Sequence, residues 1–116
     1  MIAHVVLFTP RADLSDDARR DLVAAFETAL RDIPSIRHTR VGTRVTHGRP
    51  YEALMTVNYQ YAAIIEFDSI ADLKAYLEHP AHEQLAARFF TAFQHALMYD
   101  FELVEDAAGL RGLGPA

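Results

Sequence analysis

The chain has 116 residues and no cysteine, and its 16 Asp and Glu outnumber its 11 Lys and Arg for a net charge of −5. That length is one domain. The missing cysteines exclude disulfides, thiolate metal sites and thiol nucleophiles, and the scattered basic residues argue against a nucleic-acid partner. Hydrophobic residues make up 51% of the sequence, the upper end for a globular chain. A chain this small buries only about two-thirds of the surface its unfolded form exposes, so part of its apolar surface is expected to meet a partner. No apolar run approaches the roughly 20 residues of a membrane span. The apolar start at Ile2 has no basic leader before it, so no signal peptide and a cytoplasmic location are expected.

Residues 2–8 form the first predicted strand, bounded by Pro10. Alternation puts Ile2, His4, Val6 and Phe8 on one face and Ala3, Val5 and Leu7 on the other. Both faces are apolar, so both are expected to be covered. Ser15 reads as an N-cap, with Asp16 and Asp17 where the helix dipole favours negative charge. Leu22, Phe26, Ala29, Leu30 and Ile33 follow at helical spacing until Pro34 ends the helix. Residues 36–46 read as a second strand with a polar alternate face, and 47–50 (His-Gly-Arg-Pro) as a turn. Residues 51–57 fit no single element. Residues 59–67 are a third strand rich in aromatic and β-branched side chains.

Ser69 is expected to cap a second helix through Leu73, Tyr76 and Leu77. Pro80 suits the first position of a new helix, with His79 near its N-cap. That third helix is expected to carry Leu85, Ala86, Phe89, Phe93 and Leu97 on one face. Residues 98–104 then form the last strand, so the domain spans 1–104, and 105–116 are expected to be a flexible tail. The order β-α-β-β-α(α)-β is the split βαβ pattern. It predicts an α+β, ferredoxin-like fold with a four-stranded antiparallel sheet and helices on one face. The other face is expected to pack on the sheet of a second copy, because a patch that large is rare on a monomer.

His82 falls in the first turn of the third helix, and Leu85, Ala86, Phe89 and Phe93 follow it at +3, +4, +7 and +11. It therefore heads the apolar stripe. Partial burial and the positive end of the helix dipole both favour neutral imidazole, the form that accepts a proton. A histidine at a helix start also fits a simple hydrogen-bonding role. His79 and His82 lack a third ligand and their side chains diverge, so no metal is expected. His4, Tyr76 and Tyr61 each fit either a site or ordinary packing. The five glycines form no phosphate loop, and no serine sits in a Gly-x-Ser-x-Gly elbow.

The opening Ile2-Ala3-His4-Val5-Val6-Leu7-Phe8, Ile33-Pro34, Ile65-Glu66-Phe67-Asp68-Ser69, Tyr76-x-x-His79-Pro80-x-His82 and Tyr99-Asp100-Phe101 occur in order. With these the chain resembles the stress-responsive A/B-barrel (Dabb) family from Met1 to about Val104. The resemblance implies a dimeric α/β barrel built from two sheets, with a pocket between each sheet and its own helices. A plant branch of the family is a polyketide cyclase that closes a linear tetraketide by an aldol step. There the histidine of the His-Pro-x-His motif is the base and the preceding tyrosine assists it. By position these are His82 and Tyr76, and the first-strand histidine is His4. A pocket tyrosine of that branch falls on Phe26 here, which removes a hydroxyl, and the 51–59 region departs from the family pattern.

The expectation is a homodimer with an apolar pocket, acting without a cofactor as a cyclase or lyase on a small apolar or aromatic carbonyl compound. His82 would take a proton α to the carbonyl while Tyr76 or His4 hydrogen-bonds the oxyanion. Val6, Phe8, Phe26, Leu85, Phe89 and Phe93 would form the wall. Two alternatives are a ligand-binding or stress-associated dimer without turnover, and a cofactor-free monooxygenase on a related barrel.

Overall fold

The computed structural model describes residues 1–115. The strands are β1 (Ile2–Pro10), β2 (His38–Thr43), β3 (Tyr61–Phe67) and β4 (Phe93–Glu102). The helices are α1 (Asp16–Asp32), α2 (Ile70–Glu78) and α3 (Pro80–Ala92). The strands form one antiparallel sheet in the order β2-β3-β1-β4. The expected ferredoxin-like arrangement of four antiparallel strands is therefore present.

Each helix starts where its cap chemistry places it. The Ser15 hydroxyl accepts from the Ala18 amide at 3.1 Å and the Ser69 hydroxyl from the Asp72 amide at 3.1 Å. Such caps stabilise a helix by about 1 kcal/mol. Leu22 and Ala29 of α1 are buried, and Ile33 closes it with its amide on the Ala29 carbonyl. The backbone is extended at His79, whose Nδ1 accepts from the Ala81 amide at 3.0 Å, and Pro80 opens α3 behind it. The short break between α2 and α3 re-aims the chain without a loop.

β1 is central, pairing with β3 on one side and β4 on the other. Ile2, His4, Val6 and Phe8 face the helices, together with Ala63, Ile65 and Phe67 of β3. Leu22, Ala29, Leu73, Leu85 and Phe89 meet them from the helices. Full burial of each large apolar side chain stabilises by about 1.5–3 kcal/mol. Opposite lies the open face of the sheet, made of Ala3, Val5, Leu7, Ala62, Ile64, Leu97, Tyr99 and Phe101. Only Ala3 of these is buried.

Several boundaries differ from the sequence reading: β1 runs on to Pro10, β3 starts at Tyr61 and β4 ends at Glu102. The second strand is His38–Thr43 rather than 36–46, because β3 offers ladder partners only from Phe67 back to Tyr61. Residues 51–57, unassigned from sequence, begin with a 3-10 turn at Pro50–Leu54. The third helix ends at Ala92, so Phe93 and Leu97 lie on β4 and not on α3. The last strand thus starts at Phe93 instead of residue 98. The cause is tertiary. β1 is nine residues long and pairs with β4 as far as Thr9 opposite His95, after which a bulge shifts Pro10 onto Phe93. The tail region carries a 3-10 turn at Ala107–Leu113, started by Asp106 accepting from the Ala108 amide.

Candidate functional site

His4, Tyr76 and His82 come from three elements and meet beneath the helices. Alternation along β1 turns His4 toward them, and the ring is buried at 7% exposure. Tyr76 lies on the inward face of α2, with its ring centroid 5.9 Å from His4 and 5.3 Å from Phe67. His82, in the first turn of α3, sits edge-on to Tyr76 at 4.7 Å. The break at His79-Pro80 places His82 over Tyr76, because it lets α3 start afresh on the same side of the sheet.

A fourth residue joins them. His4 Nδ1 lies 2.6 Å from Asp100 Oδ1, and the two residues are direct cross-strand partners between β1 and β4. A carboxylate can only accept, so Nδ1 carries the proton and donates it. The Nε2 nitrogen is then left to the site. A neutral His4 held this way presents a lone pair, and only its imidazolium form donates from Nε2. Asp100 stands in the Tyr99-Asp100-Phe101 segment, whose local sequence assigns it no role. Its place could have been found by setting β4 beside β1, as the split βαβ pattern requires, and noting that Met98, Asp100 and Glu102 share one face.

Electrostatics divides the groups. Burial pushes the His82 imidazole below its ordinary value, and the nearby His4 acts in the same direction. The Leu77 backbone and Glu83 oppose this more weakly. His82 is therefore neutral at pH 7 and able to accept a proton. Burial alone pushes the Tyr76 phenol up, with no neighbouring charge or hydrogen bond opposing it. That phenol stays protonated and is a donor.

The group opens onto a cavity of about 140 Å³ lined by His4, Tyr76, His82, Val6, Ile65, Phe26, Leu77, Leu85, Ala86, Phe89, Phe90 and Met98. Of the wall residues expected from sequence, Val6, Phe26, Leu85 and Phe89 line it. Phe8 and Phe93 do not. Phe8 stacks on Phe26 at 5.8 Å, and Phe93 packs against Phe89 at 5.1 Å. Ile65, Leu77, Ala86, Phe90 and Met98 were missed, and alternation along β3 and β4 was the available signal for Ile65 and Met98.

His79 is occupied as the cap of α3, and among the described residues no group of three or more His, Cys, Asp or Glu could hold a metal. A larger hollow of about 910 Å³ lies on the open face, between Leu7, Ala62, Ile64 and Leu97 of the sheet and Leu54, Met55, Val57 and Tyr59. It contains none of the four residues above. Among the described residues no helix is long and apolar enough to cross a membrane.

No curated protein matches the sequence. Solved structures do match in fold. A hydroxynitrile lyase from Passiflora edulis is 19% identical with a TM-score of 0.75, over 90% of this chain and 94% of its own. A Dabb family protein with a ferredoxin-like fold from Mesorhizobium loti is 24% identical with a TM-score of 0.68, over 90% and 97%. A dimeric ferredoxin-like protein of unknown function from Thermobifida fusca is 22% identical with a TM-score of 0.68, over 88% and 90%. At these identities the likeness establishes the fold. The Stress responsive A/B Barrel Domain matches residues 2–103, nearly the whole chain, and the protein belongs to that family.

Proposed function

We propose that the cavity is the active site of a cofactor-independent lyase or cyclase acting on a small carbonyl compound. The observation that carries this is the convergence of a neutral imidazole, His82, and a protonated phenol, Tyr76, on one apolar cavity. His82 removes a proton α to a carbonyl, or from the hydroxyl of a carbonyl adduct whose C–C bond then breaks to leave the carbonyl, the departing carbanion taking the proton back from His82. Tyr76 donates to the oxygen on which negative charge develops. His4, oriented by Asp100, adds a second donor when its Nε2 is protonated, and its charge then disfavours a proton on His82. The lyase named among the fold relatives supports this class of chemistry.

The cavity is smaller than the roughly 300–1,000 Å³ of pockets that hold drug-sized ligands, so the substrate is small. The assembly we infer is a homodimer through the open sheet faces. Ile64, Tyr99 and Phe101 are exposed there, and relatives of the same fold are described as dimeric. A second reading is a binding site without turnover, favoured by the apolar wall and the single enclosed phenol.

Proton exchange distinguishes the two. Small β-keto and aromatic keto acids are incubated in D2O with the protein, and loss of the α-proton signal is followed by NMR. The proposal expects exchange catalysed by the wild type and lost in His82→Ala. Binding without exchange by any compound would leave the second reading standing.

A further inference from the structure

The open face of the sheet is uneven. One register row crosses all four strands as Leu97, Leu7, Ala62 and Gly42. Side chains shrink along it from β4 to β2, and a Cβ at Gly42 would meet no atom within 4 Å. The next row, Tyr99, Val5, Ile64 and Arg40, holds no such small residues. The hollow of about 910 Å³ takes Gly42 and Ala62 as its floor, with Arg40 and Arg44 beside them and Met55 and Tyr59 in the wall. That volume falls within the roughly 300–1,000 Å³ of sites for drug-sized ligands.

The wall is pinned by hydrogen bonds. The Thr9 hydroxyl donates to the Asn58 carbonyl and accepts from the Gln60 amide. Arg44 Nη1 donates to Asn58 Oδ1 at 2.6 Å. The Glu52 carboxylate accepts from the His47 and Gly48 amides at 3.1 and 2.7 Å. Residues 51–59, which depart from the family pattern, are thus held in place over the sheet. Charge then sets the class of ligand. The chain carries a net −5, yet two arginines and no Asp or Glu line the hollow. Among the described residues neither Arg40 nor Arg44 is in an ion pair.

We propose that the hollow is a second binding site, separate from the His82 cavity, for a fatty acid or a similar apolar monocarboxylate. The apolar chain of the ligand lies over Gly42 and Ala62, against Ile64 and Leu97. Its carboxylate meets the guanidinium groups of Arg40 and Arg44, whose forked donors match carboxylate geometry. A homodimer through the open faces would roof this site. Stacked sheets lie about 10 Å apart, and a floor of alanine and glycine leaves that layer unfilled on the β2 half of the face. The proposal rests on no part of the catalytic reading.

Decanoate, with decanol as the uncharged control, is titrated into the full chain and followed by calorimetry and methyl NMR, while sedimentation reports the oligomeric state. The expected result is a single decanoate per chain, with shifts at Val57, Ile64 and Leu97 and none at Leu85. Lengthening octanoate to decanoate should tighten binding by up to about fourfold per buried methylene. Gly42→Leu, which fills the floor, should abolish binding. Arg40→Gln and Arg44→Gln should each weaken decanoate by about three- to tenfold and leave decanol unchanged. Added salt should weaken decanoate alone, and His82→Ala should bind as wild type does. Arg40→Gln, at an exposed position, reads the charge if Gly42→Leu fails to fold. Decanoate that shifts Leu85 and is lost in His82→Ala sits in the other cavity and overturns the second site. Absence of binding, by a monomer or by a dimer whose second copy fills the hollow, also overturns it. Equal binding of decanol and decanoate, indifferent to both arginines, overturns the choice of an anion. None of these results bears on proton removal by His82, which α-proton exchange tests separately.

Discussion

Replacing Tyr76 with Phe removes one oxygen from the centre of the site and leaves the ring. The residue is 2% exposed, with its ring against His4, Phe67 and His82. Burial raises its phenol, and among the described residues its hydroxyl makes no hydrogen bond that would be lost with the oxygen. Deleting a hydroxyl that opens onto the cavity and has no protein partner is nearly neutral, within about 1 kcal/mol. Tyr76→Ala also removes the ring and its packing, which costs about 3–5 kcal/mol for aromatic residues in cores. If Tyr76 is the oxyanion donor, the Phe variant loses about 100- to 1,000-fold in rate. Urea unfolding of both variants, alongside α-proton exchange, reads all three values. The Phe variant is expected to be as stable as wild type or slightly more so, with exchange slowed about 100- to 1,000-fold. A Phe variant destabilised by about 2 kcal/mol, the size of a lost buried hydrogen bond, would show that the hydroxyl serves the fold and would refute the reasoning.

Other outcomes follow from the same geometry. Asp100→Asn should cost about 1 kcal/mol or less, because the carboxylate is half exposed and pairs at a surface are weak; in ring NMR the His4 Nδ1 proton should lose its strongly shifted signal. Ala29→Leu should destabilise by about 1–3 kcal/mol through overpacking, since Ala29 is fully enclosed, and thermal unfolding reads this directly. His79→Ala should cost about 1 kcal/mol through loss of the α3 cap, whereas His79→Asn should recover most of it. His82 sets a pH dependence. Its native value lies below the ordinary one, so the unfolded chain binds the proton more readily. Its contribution is complete above the unfolded value of about 6.5 and is lost as pH falls through the native value. Urea midpoints of wild type and His82→Gln should therefore converge toward acid pH.

Much of this site was legible because it depends on local chemistry. Ser15 and Ser69 mark two helix starts by their hydroxyls. His79-Pro80 marks a third, and once α3 begins at Pro80 the place of His82 in its first turn follows. Period-two alternation alone puts His4 on the face of Val6 and Phe8. What remained hidden depends on which strands become neighbours. Phe89, Phe93 and Leu97 recur every four residues and read as a helix, yet β1 needs a partner along its length and draws 93–97 into β4. Phe8 shares the face of Val6, but it stacks on Phe26 and does not line the cavity. The pairing of His4 with Asp100 joins residues 96 positions apart, and no local pattern announces it.

The most direct test is a histidine-resolved NMR titration of the wild-type protein, with His82→Ala used to assign the ring signals. The central claim is that His82 is an uncharged imidazole beside Tyr76 in an apolar cavity. It predicts that His82 titrates below about 6.5, the ordinary histidine value, and that its signals move when a small keto acid binds. A His82 that titrates at or above that value, with no response to any such acid, would contradict it.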